Sequence, residues 1–327
     1  MAATFGNSTV VTVFGGSGFL GRYVVQALAR SGCRIKAAVR RPELALHLQP
    51  LGTVGQIALL QANIRNEKSV AEAVRGADWV INLVGVLQPS GRQTFKAVHA
   101  EAPETIAKAA KAHSALGFIH ISAIGADRLS QSGYARTKGE GEARALAAFP
   151  EAVILRPSLV FGPEDHFFNR FAGLAAFSPV LPLIGGQTRF QPVYVGDIAR
   201  AVTAAMSGHA TEGAVYELGG PTVYSFRDIL QKVCEWTQHK RLLLPIPFWA
   251  AKIPAIFLQV LPGAPITVDQ IRMLQNDNIV STEAIRDRRT LEGLGVVEPR
   301  SAEVIVPPYL QRYRPRGEFS AGRASVF

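Results

Sequence analysis

A chain of 327 residues, 48% hydrophobic and 18% charged, has room for one large domain or a domain with a smaller partner, and its composition excludes a disordered protein. The formal net charge of +10 permits attraction to phosphates, anionic lipid or nucleic acid and selects none of them. With no zinc spacing, helix-turn-helix pattern or basic–aromatic run, nucleic acid is not an expected partner. Cys33 and Cys234 form neither a CxxC pair nor a metal-ligand pattern, so no metal site and a reducing compartment are expected.

The opening MAATFGNST has no basic n-region and no apolar h-region, so no signal or transit peptide is read there. Strand-like and helix-like runs then alternate. Val10–Phe14 reads as a buried strand, Phe19–Ser31 as a helix, Arg34–Val39 and Gln56–Leu60 as strands, and Ser69–Val74 as a helix. Trp79–Val86 reads as a strand, Pro103–His113 as a helix, Phe118–Ser122 as a strand, Ala135–Phe149 as a helix and Ala152–Leu155 as a strand. This rhythm predicts an α/β fold: a doubly wound parallel sheet with helices on both faces and chemistry at the carboxyl ends of the strands.

After Arg156 prolines and glycines break the rhythm, which predicts a smaller C-terminal lobe. Val193–Val195 and Val215–Leu218 read as strands returning to the sheet, and Phe226–Trp236 and Asp269–Leu274 as helices of the lobe. The expected division is a dinucleotide-binding domain over 1–165 plus about 190–220. The lobe takes about 166–189 plus 221–318, and a mobile tail takes 319–327. Two uncharged stretches, 171–188 and 242–268, carry too many prolines to span a membrane, so a soluble or peripheral protein is expected.

Four glycines lie between the first strand and the first helix, in GGSGFLG. Gly16, Gly18 and Gly21 satisfy GxGxxG; Gly15, Gly18 and Gly21 satisfy GxxGxxG. Either spacing gives a turn without Cβ, close approach of main chain to a pyrophosphate, and tight helix–strand packing. The amides along Gly15, Gly16, Ser17, Gly18, Phe19, Leu20 and Gly21, with the positive helix end, would face the phosphates. The second strand ends in AAVRRPE, where a carboxylate would hold a ribose 2′-hydroxyl. Arg40 and Arg41 stand there instead, and guanidinium forks suit a 2′-phosphate, so NADP(H) is expected over NAD(H).

In SGYARTKGEGE, Tyr134 and Lys138 are four residues apart, on one face of a helical start. A phenol is a poor acid or base at neutral pH, and a neighbouring ammonium favours phenolate and can bind ribose hydroxyls. The glycine loop, this YxxxK, ILRPSLVFGPED and PVYVGDIARAV together resemble a short-chain dehydrogenase/reductase of the extended, two-lobed, Rossmann-type shape, over roughly Val10 to Gly220. SGFLGRYVV, VINLVGV, FIHIS, FPEAVILRPSLVFGPEDHFFNRF, QPVYVGDIA and LLLPIPFWA resemble more closely the nucleotide-binding accessory subunits of respiratory complex I, of the alpha-subcomplex subunit nine type.

That resemblance implies an atypical member holding NADPH at the edge of a membrane complex, and the expected place is peripheral on the cytoplasmic side of a bacterial inner membrane or soluble in the cytoplasm. It also implies roles for Ser122, Tyr134 and Lys138 in catalysis, for Asn63 near the adenine, for Val84 and Gly85 along the cofactor, and for Pro157 and Val160 beside the nicotinamide. Departures fall more on the catalytic half than on the cofactor half. The family's serine pair reads Ser122-Ala123, its helix asparagine is replaced by His99, and the adenine-side aspartate region reads QANIR. His120 and His166 have no partner visible in the sequence, and Asp197 reads as a helix cap.

The stretch 240–262 sets bulky apolar residues beside Lys240, Arg241 and Lys252. It reads as core, as a lid over an apolar substrate, or as a surface lying on an anionic membrane or membrane subunit. Three functions stay open: an NADP(H)-binding accessory subunit, an active NADPH-dependent reductase, dehydrogenase or epimerase acting on an apolar carbonyl or quinone-related substrate, and an NADPH-sensing regulator.

Overall fold

The computed structural model describes residues 5–6, 8–258, 267–315 and 317. The chain up to Pro157 runs β1 (Val10–Phe14), α1 (Phe19–Arg30), β2 (Arg34–Val39), β3 (Ile57–Gln61), α2 (Glu67–Val74), β4 (Trp79–Asn82), α3 (Ala102–Ala112), β5 (Gly117–Ile121), α4 (Gly133–Ala148) and β6 (Val153–Pro157). It continues through β7 (Val160–Phe161), α5 (Phe168–Phe177), β8 (Val180–Ile184), β9 (Arg189–Phe190), β10 (Val193–Tyr194), α6 (Val195–Ala204) and β11 (Val215–Leu218). Last come β12 (Tyr224–Ser225), α7 (Phe226–Trp236), β13 (Leu242–Ile246), α8 (Phe248–Leu258), α9 (Val268–Met273), α10 (Thr282–Arg286) and α11 (Ala302–Leu310).

Two compact units emerge. The first takes the chain up to Pro157 with Val195–Gly219 and Val280–Glu298; the second takes Ser158–Tyr194, Gly220–Ile279 and the chain from Pro299. In the first, seven parallel strands lie in the order β11-β6-β5-β4-β1-β2-β3. The strand order reverses at β1, flanked by β2 and β4, so a crevice opens at the carboxyl ends of those strands. Strands buried on both faces explain the near-continuous apolar runs.

One cross-strand row reads Ala38–Phe14–Asn82–His120–Ile154. Directly opposed residues share a sheet face. Phe14, Ala38 and Ile154 pack with Ile106, Ala107 and Ala145 of α3 and α4. Asn82 and His120 are thus polar members of a face covered by those helices.

Three expectations need correction. The strand read as Trp79–Val86 stops at Asn82, because the amides beyond it go to other partners, Val84 to the Asn82 side chain and Val86 to His99. Val193 and Tyr194 do not return to the large sheet; they pair with Val160 and Phe161, a two-residue ladder that satisfies a short apolar run equally well. Asp197 is not a cap but lies inside the first turn of α6, buried and paired with Arg200 at 2.7 Å.

The second unit has an aromatic interior. Phe161, Phe168, Tyr224, Ile229 and Val233 pack with Ala302, Val306 and Leu310 of α11. A capping box of Ser225 and Asp228 starts α7, and Arg314 donates to the Trp236 carbonyl at 3.0 Å, so the chain is anchored past Arg312. The tail expected over 319–327 and part of the 242–268 stretch lie outside the described residues. Among the described residues no helix is long and apolar enough to cross a membrane.

Candidate functional site

The glycine loop is built for two separate reasons. Gly15 has φ of +81°, in the left-handed region, and a Cβ there would meet the Val84 amide nitrogen at 3.2 Å. A Cβ on Gly21 would fall 2.2 Å from the Gly15 carbonyl oxygen and 2.5 Å from that of Gly16, so α1 packs on the turn only because Gly21 is bare. Gly16 lies against Val25, where a Cβ would come within 3.3 Å of its side chain. Gly18 differs: its added Cβ would meet only the Gly15 carbonyl oxygen, at an ordinary 3.4 Å. Protein packing therefore explains Gly15 and Gly21, whereas at Gly18 it leaves room for a Cβ.

Gly18 also begins α1 without a side-chain cap, and the first turn carries no acidic residue. The amides of Phe19, Leu20 and Gly21 have no intrahelical acceptor, and the positive helix end is uncompensated. Ser17 lies half-buried beside them. A pyrophosphate fits this cradle by donor geometry and by charge.

Arg40 and Arg41 follow β2 directly, both exposed, and among the described residues no ion pair engages either. Asn63 follows β3 in a turn, its side-chain oxygen accepting from the Arg65 amide at 3.1 Å while Ser69 Oγ accepts from its own amide at 3.0 Å. Pro157 ends β6 in the first unit; Val160 belongs to β7 in the second.

The Tyr134–Lys138 pair sits on α4, whose first turn is capped by Ser132 accepting from the Ala135 amide at 3.2 Å. The helix is pinned to the sheet through Glu142, which takes a two-armed bond from Arg156 of β6 at 2.9 and 2.6 Å. It presses on the turn Lys96–Glu101, a π-helical segment, so closely that a Cβ on Gly141 would lie 1.8 Å from the His99 carbonyl oxygen. Such bulges recur where a side chain must be re-aimed.

Lys138 is 3% exposed, and Nζ donates to the Ile121 carbonyl at 3.1 Å. Burial pulls its pKa down to about 8 against the opposing pull of Glu142. The Tyr134 phenol is pushed up to about 12 by burial. Burial thus acts on the phenol in the direction opposite to the phenolate-favouring effect expected of the lysine. Ser122 is buried, and its hydroxyl has no hydrogen-bond partner among the described residues.

Near this pair lie His99, read from the sequence only as standing in for the family's helix asparagine, and Asn82 and His120, to which the sequence reading gave no site role. His99 is fully buried, stacks on Phe95 at 5.3 Å and meets the Tyr134 ring edge-on at 5.1 Å. Burial and the charge of Lys138 hold its pKa down to about 3. His120, placed among residues without visible partners, bonds through Nδ1 to the Asn82 amide at 3.1 Å, and its Nε2 is buried without a partner among the described residues. The sequence signal was there: a histidine inside FIHIS and an asparagine ending WVIN interrupt otherwise apolar strands.

The NAD dependent epimerase/dehydratase family profile matches residues 11–219. The 40 kDa subunit of NADH-ubiquinone oxidoreductase from Neurospora crassa mitochondria is 33% identical over 304 residues, 93% of this chain and 79% of that protein. Mitochondrial NADH dehydrogenase [ubiquinone] 1 alpha subcomplex subunit 9 from Arabidopsis thaliana is 35% identical over 85% of this chain and 72% of its own length. The solved structure of an NADPH-dependent quinone oxidoreductase from Escherichia coli, complexed with NADPH, aligns with a TM-score of 0.72 at 20% identity. It covers 91% of this chain and 99% of that one, a likeness of fold. The chain belongs to the NAD dependent epimerase/dehydratase family, as its glycine loop, parallel sheet and matched profile require.

Proposed function

We propose that this protein is an NADP(H)-binding accessory subunit of NADH:ubiquinone oxidoreductase, with the dinucleotide in a structural role. The observation that carries the reading is identity of 33–35% with subunits of that complex along 85–93% of the chain, joined to the cradle around Gly18. Preference for NADP(H) over NAD(H) is supported by Arg40 and Arg41 at the end of β2 with no carboxylate among them. Gly15, Gly16, Ser17, Gly18, Phe19, Leu20 and Gly21 would hold the pyrophosphate. Asn63 would lie near the adenine, and Val84, Gly85, Tyr134, Lys138, Pro157 and Val160 would lie toward the nicotinamide.

Peripheral seating on a membrane is supported by α8. Trp249, Ile253 and Ile256 are 71%, 55% and 52% exposed along one face, while Ala251 and Ala255 are buried on the other. A helix apolar on both faces suits a second apolar phase, and Lys252 within it suits anionic lipid. Native purification with cofactor analysis tests the assignment: the expected result is co-migration with the respiratory complex and NADPH retained stoichiometrically. Free protein without bound nucleotide would overturn it.

A second reading, an active reductase on an apolar carbonyl or quinone-related substrate, is favoured by one observation: Tyr134, Lys138 and the unpartnered Ser122 hydroxyl are all kept in the first unit. Bound NADPH would supply hydride. With the phenol pushed up to about 12 it is protonated at neutral pH, which suits donation to a reduced carbonyl oxygen. Ser122 Oγ would donate to the same oxygen, and Lys138 would hold ribose hydroxyls. Carbonyl-dependent NADPH oxidation abolished in Tyr134→Phe would select this reading over the first.

A further inference from the structure

The segment Leu83–Val86 has no regular secondary structure, yet it lies between the two halves of the site. A Cβ on Gly15 would come within 3.2 Å of Val84, and one on Gly85 within 3.5 Å of Lys138 Nζ. A dinucleotide reaching from the glycine loop to Lys138 crosses this segment. What fixes it is not a strand ladder. Leu83 donates to the Phe14 carbonyl at 3.0 Å, but Val84 donates to Asn82 Oδ1 at 3.1 Å and Val86 to His99 Nε2 at 3.0 Å.

Donor and acceptor logic then sets the state of both rings. An amide N–H pointing at His99 Nε2 makes that nitrogen an acceptor, so the ring proton sits on Nδ1, facing Thr137 Oγ1 at 3.4 Å. The Thr137 hydroxyl is free to receive it because it donates to the Gly133 carbonyl at 2.7 Å. On the other side, Asn82 Oδ1 accepts from Val84, so its Nδ2 is the group donating to His120 Nδ1, and the His120 proton sits on Nε2. The rings hold opposite tautomers, and a second proton on either would oppose an N–H already aimed at it.

We infer that His99 and His120 are positioning residues: a pair of uncharged rings that clamp Leu83–Val86, His99 through Val86 directly and His120 through Asn82 and Val84. The clamp ties α4, through Thr137, to the segment that a dinucleotide must cross. The inference rests on the dinucleotide reading for its purpose, though not for its geometry.

The test is a crossed rescue in the full-length chain. A glutamine amide reaches the place of a histidine Nε2, and an asparagine amide the place of Nδ1. His99→Gln therefore keeps the Val86 anchor and His99→Asn loses it; at position 120 the order reverses, with His120→Asn keeping the Asn82 contact and His120→Gln losing it. Hydrogen exchange read without nucleotide should show the Val86 amide exchanging about tenfold faster in His99→Asn and near wild type in His99→Gln. The Val84 amide should respond in the crossed sense at position 120. Dissociation constants should rise about three- to tenfold for NADPH in the two losing variants, the range of one hydrogen bond. They should not change for 2′,5′-ADP, which stops at the adenine half. Equal behaviour of Asn and Gln at either position, or parallel weakening of NADPH and 2′,5′-ADP, would overturn the clamp. Wild-type protein that binds neither nucleotide would sink the dinucleotide reading instead, and the exchange pattern would still decide the clamp.

Discussion

The two units spend their buried volume differently. Under α4 the interior of the first unit holds Asn82, His99, His120, Ser122, Lys138 and Glu142 among apolar neighbours. The interior of the second is a run of touching rings, from Phe161–Phe168 at 6.0 Å to Phe171–Phe226 at 5.5 Å. Touching rings favour edge-to-face and offset geometries and stabilise chiefly through buried apolar area, without needing a named hydrogen-bond partner for each atom. Buried polar groups cost stability unless every partner is placed, and in return they fix atoms to a fraction of an ångström. The difference teaches where precision is needed: at the carboxyl ends of β1, β4 and β5, and not in the second unit's core.

The largest expected effect lies in the aromatic unit. Phe168→Ala should cost about 3–5 kcal/mol in chemical denaturation, as for a fully buried ring, and leave the NADPH dissociation constant unchanged. A loss of binding instead would erase the contrast between the units. Next come the glycines. Gly21→Ala drives a Cβ into two carbonyl oxygens and should destabilise by about 1–3 kcal/mol. Gly18→Ala should stay within about 0.5 kcal/mol of wild type yet weaken NADPH about tenfold or more, a split measurable by pairing melts with titrations.

A smaller effect is linked to pH. The folded pKa of Lys138, about 8, lies below its ordinary 10.5, so between those values the unfolded chain binds the extra proton and stability rises with pH. Tyr134 acts in the opposite direction higher up: its folded value of about 12 exceeds 10.0, so the folded state keeps a proton the unfolded chain has lost, and stability falls above about pH 10. Denaturation of wild type and Lys138→Met from pH 7 to 10 should diverge by no more than about 1.4 kcal/mol per pH unit, wild type gaining as pH rises. Parallel curves would mean that the lysine is not held in a poorly hydrated place. Smallest in stability is the exposed arginine pair: Arg40→Ala or Arg41→Ala should lie within about 0.5 kcal/mol of wild type. Each should still weaken NADPH about tenfold while NADH is unaffected; equal affinities for the two nucleotides would remove the case for a 2′-phosphate site.

Much of the site was legible because its signals are local. The glycine spacing, the Arg40–Arg41 pair and the four-residue step from Tyr134 to Lys138 each depend on backbone geometry within a turn or two. Illegible were features requiring chain segments far apart. Asn82 and His120 are separated by 38 residues and meet only through the β4–β5 register. His99 faces Val86 because a π turn and a bare Gly141 let two helices close on each other. The pairing of Val193–Tyr194 with Val160–Phe161 joins segments far apart in the chain, which periodicity does not encode.

By itself the sequence determined an alternating α/β order, a glycine turn between the first strand and the first helix, and a phenol and an ammonium on one helical face. These follow from covalent geometry and side-chain period, which act over a few residues. The tertiary structure decided the burial of that phenol and that ammonium, the neighbours of the two histidines and the end of β4. Each of those is set by partners that only folding brings within reach.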